Sequence, residues 1–277
     1  MKHPWLHRFA LLLAACSLLL IVDGALVIPG IPPSPELISL HRIAALALGA
    51  LTAGLVGWLI FADPRPQTRA LGWLTLAIVA ADGLAGLSAV QAAIPRTAGV
   101  AHACLAQMFF AAMVALAVVT SSGWSRGPEL ASDYGWPSMR SLAILTPLLV
   151  ILQITLGAGF RQKALTLLPH VLGAMFVALV ILLESIFVLQ QFPTHRSLRP
   201  AAKMLLGVAF AQVFLGMTAL IMKSMAEDTD TAVRVTVAAH VTGGAVTLAT
   251  TLVLSILIRR NVQSRVEEDD AEAVERT

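Results

Sequence analysis

Charge is what this sequence has least of. Only 13% of its 277 residues are charged, about half the share of an ordinary soluble domain. Cys16 and Cys104 are its only cysteines, which excludes a disulfide scaffold. At 57% hydrophobic the chain is not a disordered one. Its apolar residues are not spread through short periodic segments, as a soluble core or a coiled coil would need, but lie in long uncharged blocks.

Those blocks read as an all-α integral membrane protein. Runs of 18 or more largely apolar residues occupy 9–28, 43–61, 70–93, 98–120, 142–160, 167–190, 201–222 and 235–258, each long enough to cross a bilayer. Proline punctuates the connections, at Pro32, Pro33, Pro35, Pro64, Pro66, Pro95, Pro193 and Pro200. A longer polar stretch, 121–140, carries Gly123, Gly127, Asp133, Gly135 and Pro137 and separates two sets of four spans. The expected organisation is an N-terminal four-helix half (1–125), a connecting cytoplasmic loop (126–140), a C-terminal four-helix half (141–260) and a disordered cytoplasmic tail (261–277).

Of the 19 basic residues, thirteen fall on one side of these spans: Lys2, Arg8, Arg65, Arg69, Arg126, Arg140, Arg196, Arg199, Lys203, Arg259, Arg260, Arg265 and Arg276. The other six are Arg42, Arg96, Arg161, Lys163, Lys223 and Arg234. The positive-inside rule therefore places both termini in the cytoplasm. The pI near 9.2 reflects these loop cations, and no nucleic-acid partner is expected. Leu13-Ala14-Ala15-Cys16 fits a lipoprotein cleavage pattern, but the apolar SLLLIV follows in place of a polar tether. Cleavage there would also leave seven spans and spoil the charge alternation.

Seven histidines occur, and His3, His7 and His195 fall in cytoplasmic segments. His41, His102, His170 and His240 each fall near the start of an even-numbered span, so all four are expected at similar depth toward the outer side. Polar side chains inside a membrane are costly and usually functional. The halves also repeat. His41 to His170 is 129 residues, His102 to His240 and Arg96 to Arg234 are both 138, and Asp82-x3-Gly86 recurs as Gln212-x3-Gly216 at an offset of 130. The expected fold is therefore eight transmembrane helices in two pseudo-symmetric four-helix bundles, with two histidines in each.

A zinc or copper site would need further ligands, and the spacing places no acid or thiolate beside either pair. A transporter's proton path would likewise need acids near the histidines or broken helices, for which Pro169 is the one candidate. Heme needs only two axial imidazoles and a flat slot. Small residues line such a slot at Ala44, Ala45, Ala101, Ala106, Gly173, Ala174, Gly243 and Gly244. Arg42, Arg96, Arg161 and Arg234 are cations placed to meet its propionates.

From about Leu11 to Ile258 the pattern resembles the heme A synthase family of cytochrome oxidase assembly. The resemblance is carried by PELISLHRIAALALGA, AHACLAQMFF, LQITLGAGFRQKALTLLPHVLGA and VAAHVTGGAVTLAT in that order. It implies a heme b held by His170 and His240, with Arg161 and Arg234 toward its propionates. It also implies a substrate heme o site at His41 and His102, with Arg42 and Arg96 toward its propionates. The implied reaction oxidises a ring methyl of heme o to a formyl group, giving heme a. The implied setting is a bacterial-type inner membrane, with lipid, an enzyme supplying heme o, oxidase assembly factors and further copies of the chain as partners.

Two features depart from the family. Members commonly carry a glutamate three residues before the first histidine, where Ile38 stands here, and many carry a cysteine pair in the first outer loop, which has none. Glu36 and Asp23 are the remaining candidates for a catalytic acid. Glu36 is five residues before His41, about 140° away around a helix, and it also suits the helix start that Ser34 and Pro35 announce. Of the other intramembrane acids, Asp82 is expected to hydrogen bond between helices and Glu184 to reach water near the inner surface. The alternative to an enzyme is a non-enzymatic bis-histidine heme carrier or an electron-transfer membrane cytochrome.

Overall fold

The computed structural model describes residues 4–27, 34–91, 95–133 and 136–263. Lys2, His3, Pro32, Pro33, Gly135, Arg265, Arg276 and the expected tail from residue 264 onward lie outside them. Eight helices among the described residues are long and apolar enough to span a membrane. They are α1 (Pro4–Leu26), α2 (Pro35–Ala62), α3 (Pro66–Gln91), α4 (Pro95–Val119), α6 (Met139–Arg161), α7 (Leu167–Gln191), α8 (Leu198–Met225) and α9 (Thr231–Asn261). A single-turn α5 (Ser122–Ser125) and two short strands, β1 (Ala131–Ser132) and β2 (Val262–Gln263), complete the structure.

Each expected span is met by one of these helices, and four of them, α1, α2, α3 and α9, start a turn or more earlier than the apolar run. In α2 and α9 polar caps account for this, because the first N–H groups of a helix need acceptors that hydropathy does not report. Ser34 accepts from Leu37 N at 3.4 Å with Pro35 at the first position of α2, and Asp230 accepts from Ala232 N at 2.7 Å before α9.

In the N-terminal half α1 packs on α2, α2 on α3, α3 on α4 and α4 on α1; in the C-terminal half the same circuit runs α6, α7, α8, α9 and back to α6. The halves meet through α4 against α9, α1 against α9 and α4 against α6. α4 and α9 are accordingly the most buried spans, at 56% and 61% of their apolar windows. Both bury small residues, with Ala111, Ala112 and Ala115 on α4 and Ala245 and Ala249 on α9. Small side chains let backbones approach in lipid, where close packing replaces the hydrophobic effect as the associating force. Thr247, Thr250, Thr251 and Ser255 on α9 donate their hydroxyls to carbonyls three or four residues back, which satisfies them without a partner helix.

At the end opposite the four histidines, the connection after α4 is tied to the rest. Ala131 pairs with Val262 and Ser132 with Gln263 in parallel, so residues 261–263, expected in the tail, belong to the folded body. Arg260 lies 3.8 Å over the Trp124 ring and donates to Trp124 O. His195, which the sequence gave no cause to notice, is 4% exposed. Its Nε2 meets Glu129 O at 2.9 Å and its Nδ1 accepts from Ser197 N and Leu198 N, both at 3.2 Å. It caps α8. Asp63 ends α2 and binds Arg65, whose guanidinium holds the carboxyl below the usual carboxylate range.

Candidate functional site

His41 lies two turns into α2, His102 two turns into α4, His170 in the first turn of α7 and His240 nearly three turns into α9. The fold brings them together in pairs at one end of the bundle. The rings of His41 and His102 have centres 6.3 Å apart and planes crossing at 77°; those of His170 and His240 are 6.1 Å apart and cross at 81°. A histidine nitrogen binds a first-row metal such as zinc at ~2.0–2.1 Å and its ring centre lies ~1.1 Å behind it, so two axial imidazoles on one iron have centres ~6.2–6.4 Å apart. The His41 and His102 pair falls within that range and the His170 and His240 pair 0.1 Å below it. Among the described residues no three His, Cys, Asp or Glu side chains group as a metal site.

Each ring lies over a glycine of the preceding helix. A Cβ at Gly157 would stand 2.8 Å from His170 Cε1, one at Gly216 2.8 Å from His240 Cε1, one at Gly86 3.1 Å from His102 and one at Gly24 3.8 Å from His41. On α3, α6 and α8 a polar residue precedes that glycine by four, on the same helix face: Asp82 before Gly86, Gln153 before Gly157 and Gln212 before Gly216. On α1 the two are adjacent, Asp23 and Gly24. The sequence had shown the Asp82 and Gln212 motifs as equivalent, but not that they and Gln153-x3-Gly157 are the seats of the histidine rings. That period-four motif was the signal available.

The polar residues meet the Nδ1 side of the rings. Asp23 Oδ2 is 2.7 Å from His41 Nδ1, and Asp82 lies 2.8 Å through Oδ1 and 3.2 Å through its backbone O from His102 Nδ1. The absence of acids beside the histidines, inferred from spacing along each span, is thus corrected: the acids arrive from α1 and α3. Gln153 Nε2 reaches His170 Nδ1 at 2.9 Å and His170 O at 2.8 Å. His240 faces the backbone of Gln212, and its Nδ1 makes no hydrogen bond. The residues behind the rings are therefore aspartates in one half and glutamines in the other.

Two of the four outlying arginines are committed to the backbone of α1. Arg161 Nη2 donates to Ala25 O and Val27 O, both at 2.6 Å, and Arg234 to Leu26 O at 3.0 Å. The last carbonyls of a helix have no partner within it, and these side chains from the other half supply one. Arg96 Nη1 lies 3.4 Å from Lys163 O, and Arg42 is exposed. Glu36 is exposed at the start of α2 beside Ser34. Glu184, expected to be hydrated, is fully buried with neither carboxyl oxygen hydrogen-bonded, because α6 and α8 close over its face of α7. Pro169 sits in the first turn of α7 and breaks nothing. Cys104 Sγ is 3.5 Å from Thr155 Oγ1 on α6, and both cysteines are free. Comparison of the chain with protein-family models and with curated proteins returns no match.

Proposed function

We propose that this chain is a membrane heme oxidoreductase of the heme A synthase type, with heme b held by His170 and His240 and heme o bound as substrate by His41 and His102. The observation that carries the reading is the ring spacing: in both halves two imidazoles stand at the separation of axial ligands on one iron, each ring seated on a glycine. When bound, heme supplies the iron redox chemistry that turns the heme o methyl into a formyl group.

The chain's own part is to hold and orient. The glycines on α1, α3, α6 and α8 let the rings lie close, and the residues at Nδ1 fix their rotation. Arg161 and Arg234 are the candidate cations for the heme b propionates and Arg42 and Arg96 for those of the substrate heme. Asp23, in contact with His41, is the candidate for moving a proton; Glu36 is the second. We read the two circuits of four helices as pseudo-symmetric bundles. We place both termini in the cytoplasm and the histidines toward the outer face of a bacterial-type inner membrane, with an enzyme supplying heme o, oxidase assembly factors and further copies of the chain as candidate partners.

A second reading is a heme carrier or electron-transfer cytochrome. It is favoured by Ile38 in the place of an acid and by the commitment of Asp23 to His41 at 2.7 Å. Expression with a source of heme o, followed by pigment extraction, separates the two: heme a in the purified protein supports the enzyme, and heme b alone supports the cytochrome. For ligation itself, crossed imidazole planes predict highly anisotropic low-spin ferric EPR signals. His240→Ala should remove the C-terminal one, and an unchanged spectrum would refute the assignment.

A further inference from the structure

We propose that the two histidine pairs are unequal donors, with Asp23 and Asp82 making the His41 and His102 centre the one that holds iron more firmly in its oxidised form. This rests on the heme reading above and concerns what the chain does to each iron.

A carboxylate at Nδ1 draws the ring proton toward itself and raises the electron density at the opposite nitrogen, which makes the imidazole a more basic ligand. Such a ligand favours the more positive iron. In the N-terminal half Asp23 Oδ2 backs His41 Nδ1 in this way at 2.7 Å; His102 Nδ1 donates to the Asp82 backbone O at 3.2 Å, with the Asp82 carboxyl Oδ1 2.8 Å away as a charge beside the ring. Each acid also places a negative charge against its ring, and Asp82, with a side chain only 15% exposed, is poorly screened by water.

The C-terminal half uses the same architecture with the charge removed. Gln212 occupies the place of Asp82, four residues before the seating glycine, and His240 faces only its backbone. Gln153 brings an amide nitrogen to His170 Nδ1 at 2.9 Å while the same nitrogen is held by His170 O at 2.8 Å. Gln153 is neutral, so no charge stands behind His170 where aspartates stand behind His41 and His102. The polar residue before each seating glycine is thus charged in the N-terminal half and neutral in the C-terminal half. Asp23 and Asp82 are accordingly positioning residues acting through His41 and His102.

A redox titration of the heme-loaded full-length protein tests this, with His102→Ala and His240→Ala assigning each wave to its centre. The expected wild-type result is a lower midpoint for the N-terminal centre. Asp23→Asn and Asp82→Asn should move that midpoint upward and leave the C-terminal one in place; Asp23→Glu should restore it. Gln153→Glu should move the C-terminal midpoint downward. N-terminal midpoints unchanged in both asparagine variants at wild-type heme content would overturn the inference. Should the asparagine variants lose their heme, Gln153→Glu decides, and a C-terminal midpoint that stays put overturns it. A wild-type protein that takes up no heme at all overturns the functional reading first, and this one with it.

Discussion

At the residue scale, the glycines beneath the histidine rings are the positions where one methyl group decides occupancy. Gly157→Ala would set a Cβ 2.8 Å from His170 Cε1, and Gly216→Ala one equally close to His240. Neither ring can withdraw without leaving the pair. Overpacking of this kind costs ~1–3 kcal/mol, and ~1.4 kcal/mol is a factor of ten in an equilibrium. Each substitution should therefore weaken heme retention in the C-terminal half roughly tenfold, read as low-spin absorbance per mole of purified protein. Gly24→Ala is the control: its Cβ would stand at an ordinary 3.8 Å from His41, and heme content should stay at the wild-type level. The glycine and polar pairs were legible as a period-four repeat, but their partners were not, because the seat and the ring lie on different helices.

At the scale of elements, α1 is the helix whose end depends most on its neighbours. Its final carbonyls are bound by Arg161 from α6 and Arg234 from α9, so the C-terminal half holds the end of the helix that carries Asp23. A hydrogen bond from a charged donor contributes ~1.5–3 kcal/mol. Arg161→Gln should lower the thermal unfolding midpoint of the purified protein and reduce low-spin heme at the N-terminal centre, because the carbonyls it holds lie two and four residues beyond Asp23 along α1. A variant with unchanged midpoint and spectrum would show that these bonds do not hold α1. The turn from α6 into α7 is tightened in the same region: Lys163 adopts φ 58° and Ala164 N donates to Gly159 O at 2.8 Å. That left-handed residue after the C-cap reverses the chain and delivers His170 in the first turn of α7.

At the scale of the whole molecule, the eight apolar helices form two closed circuits joined along α4 and α9, and orientation is the property that remains to be measured. With Cys16 and Cys104 replaced by alanine, a membrane-impermeant thiol reagent applied to intact cells should label Ser224→Cys, at the histidine end, and spare Ser125→Cys, at the opposite end. Both sites are exposed, so the reverse pattern would invert the topology. The membrane class and the span count followed from the sequence because hydropathy acts locally: a bilayer tests each run of about 20 residues on its own. The four histidines were legible for the same reason, as polar residues recurring at equivalent depth in apolar spans. What only the tertiary structure decided is who meets whom. Asp23 reaches His41 from 18 residues away, Asp82 reaches His102 from 20, and Arg161 reaches the end of α1 from 136. Hydropathy along each span carries no information about contacts across such separations, since they arise from which helix faces pack together, and that packing supplies one pair of histidines with charge and the other with amides.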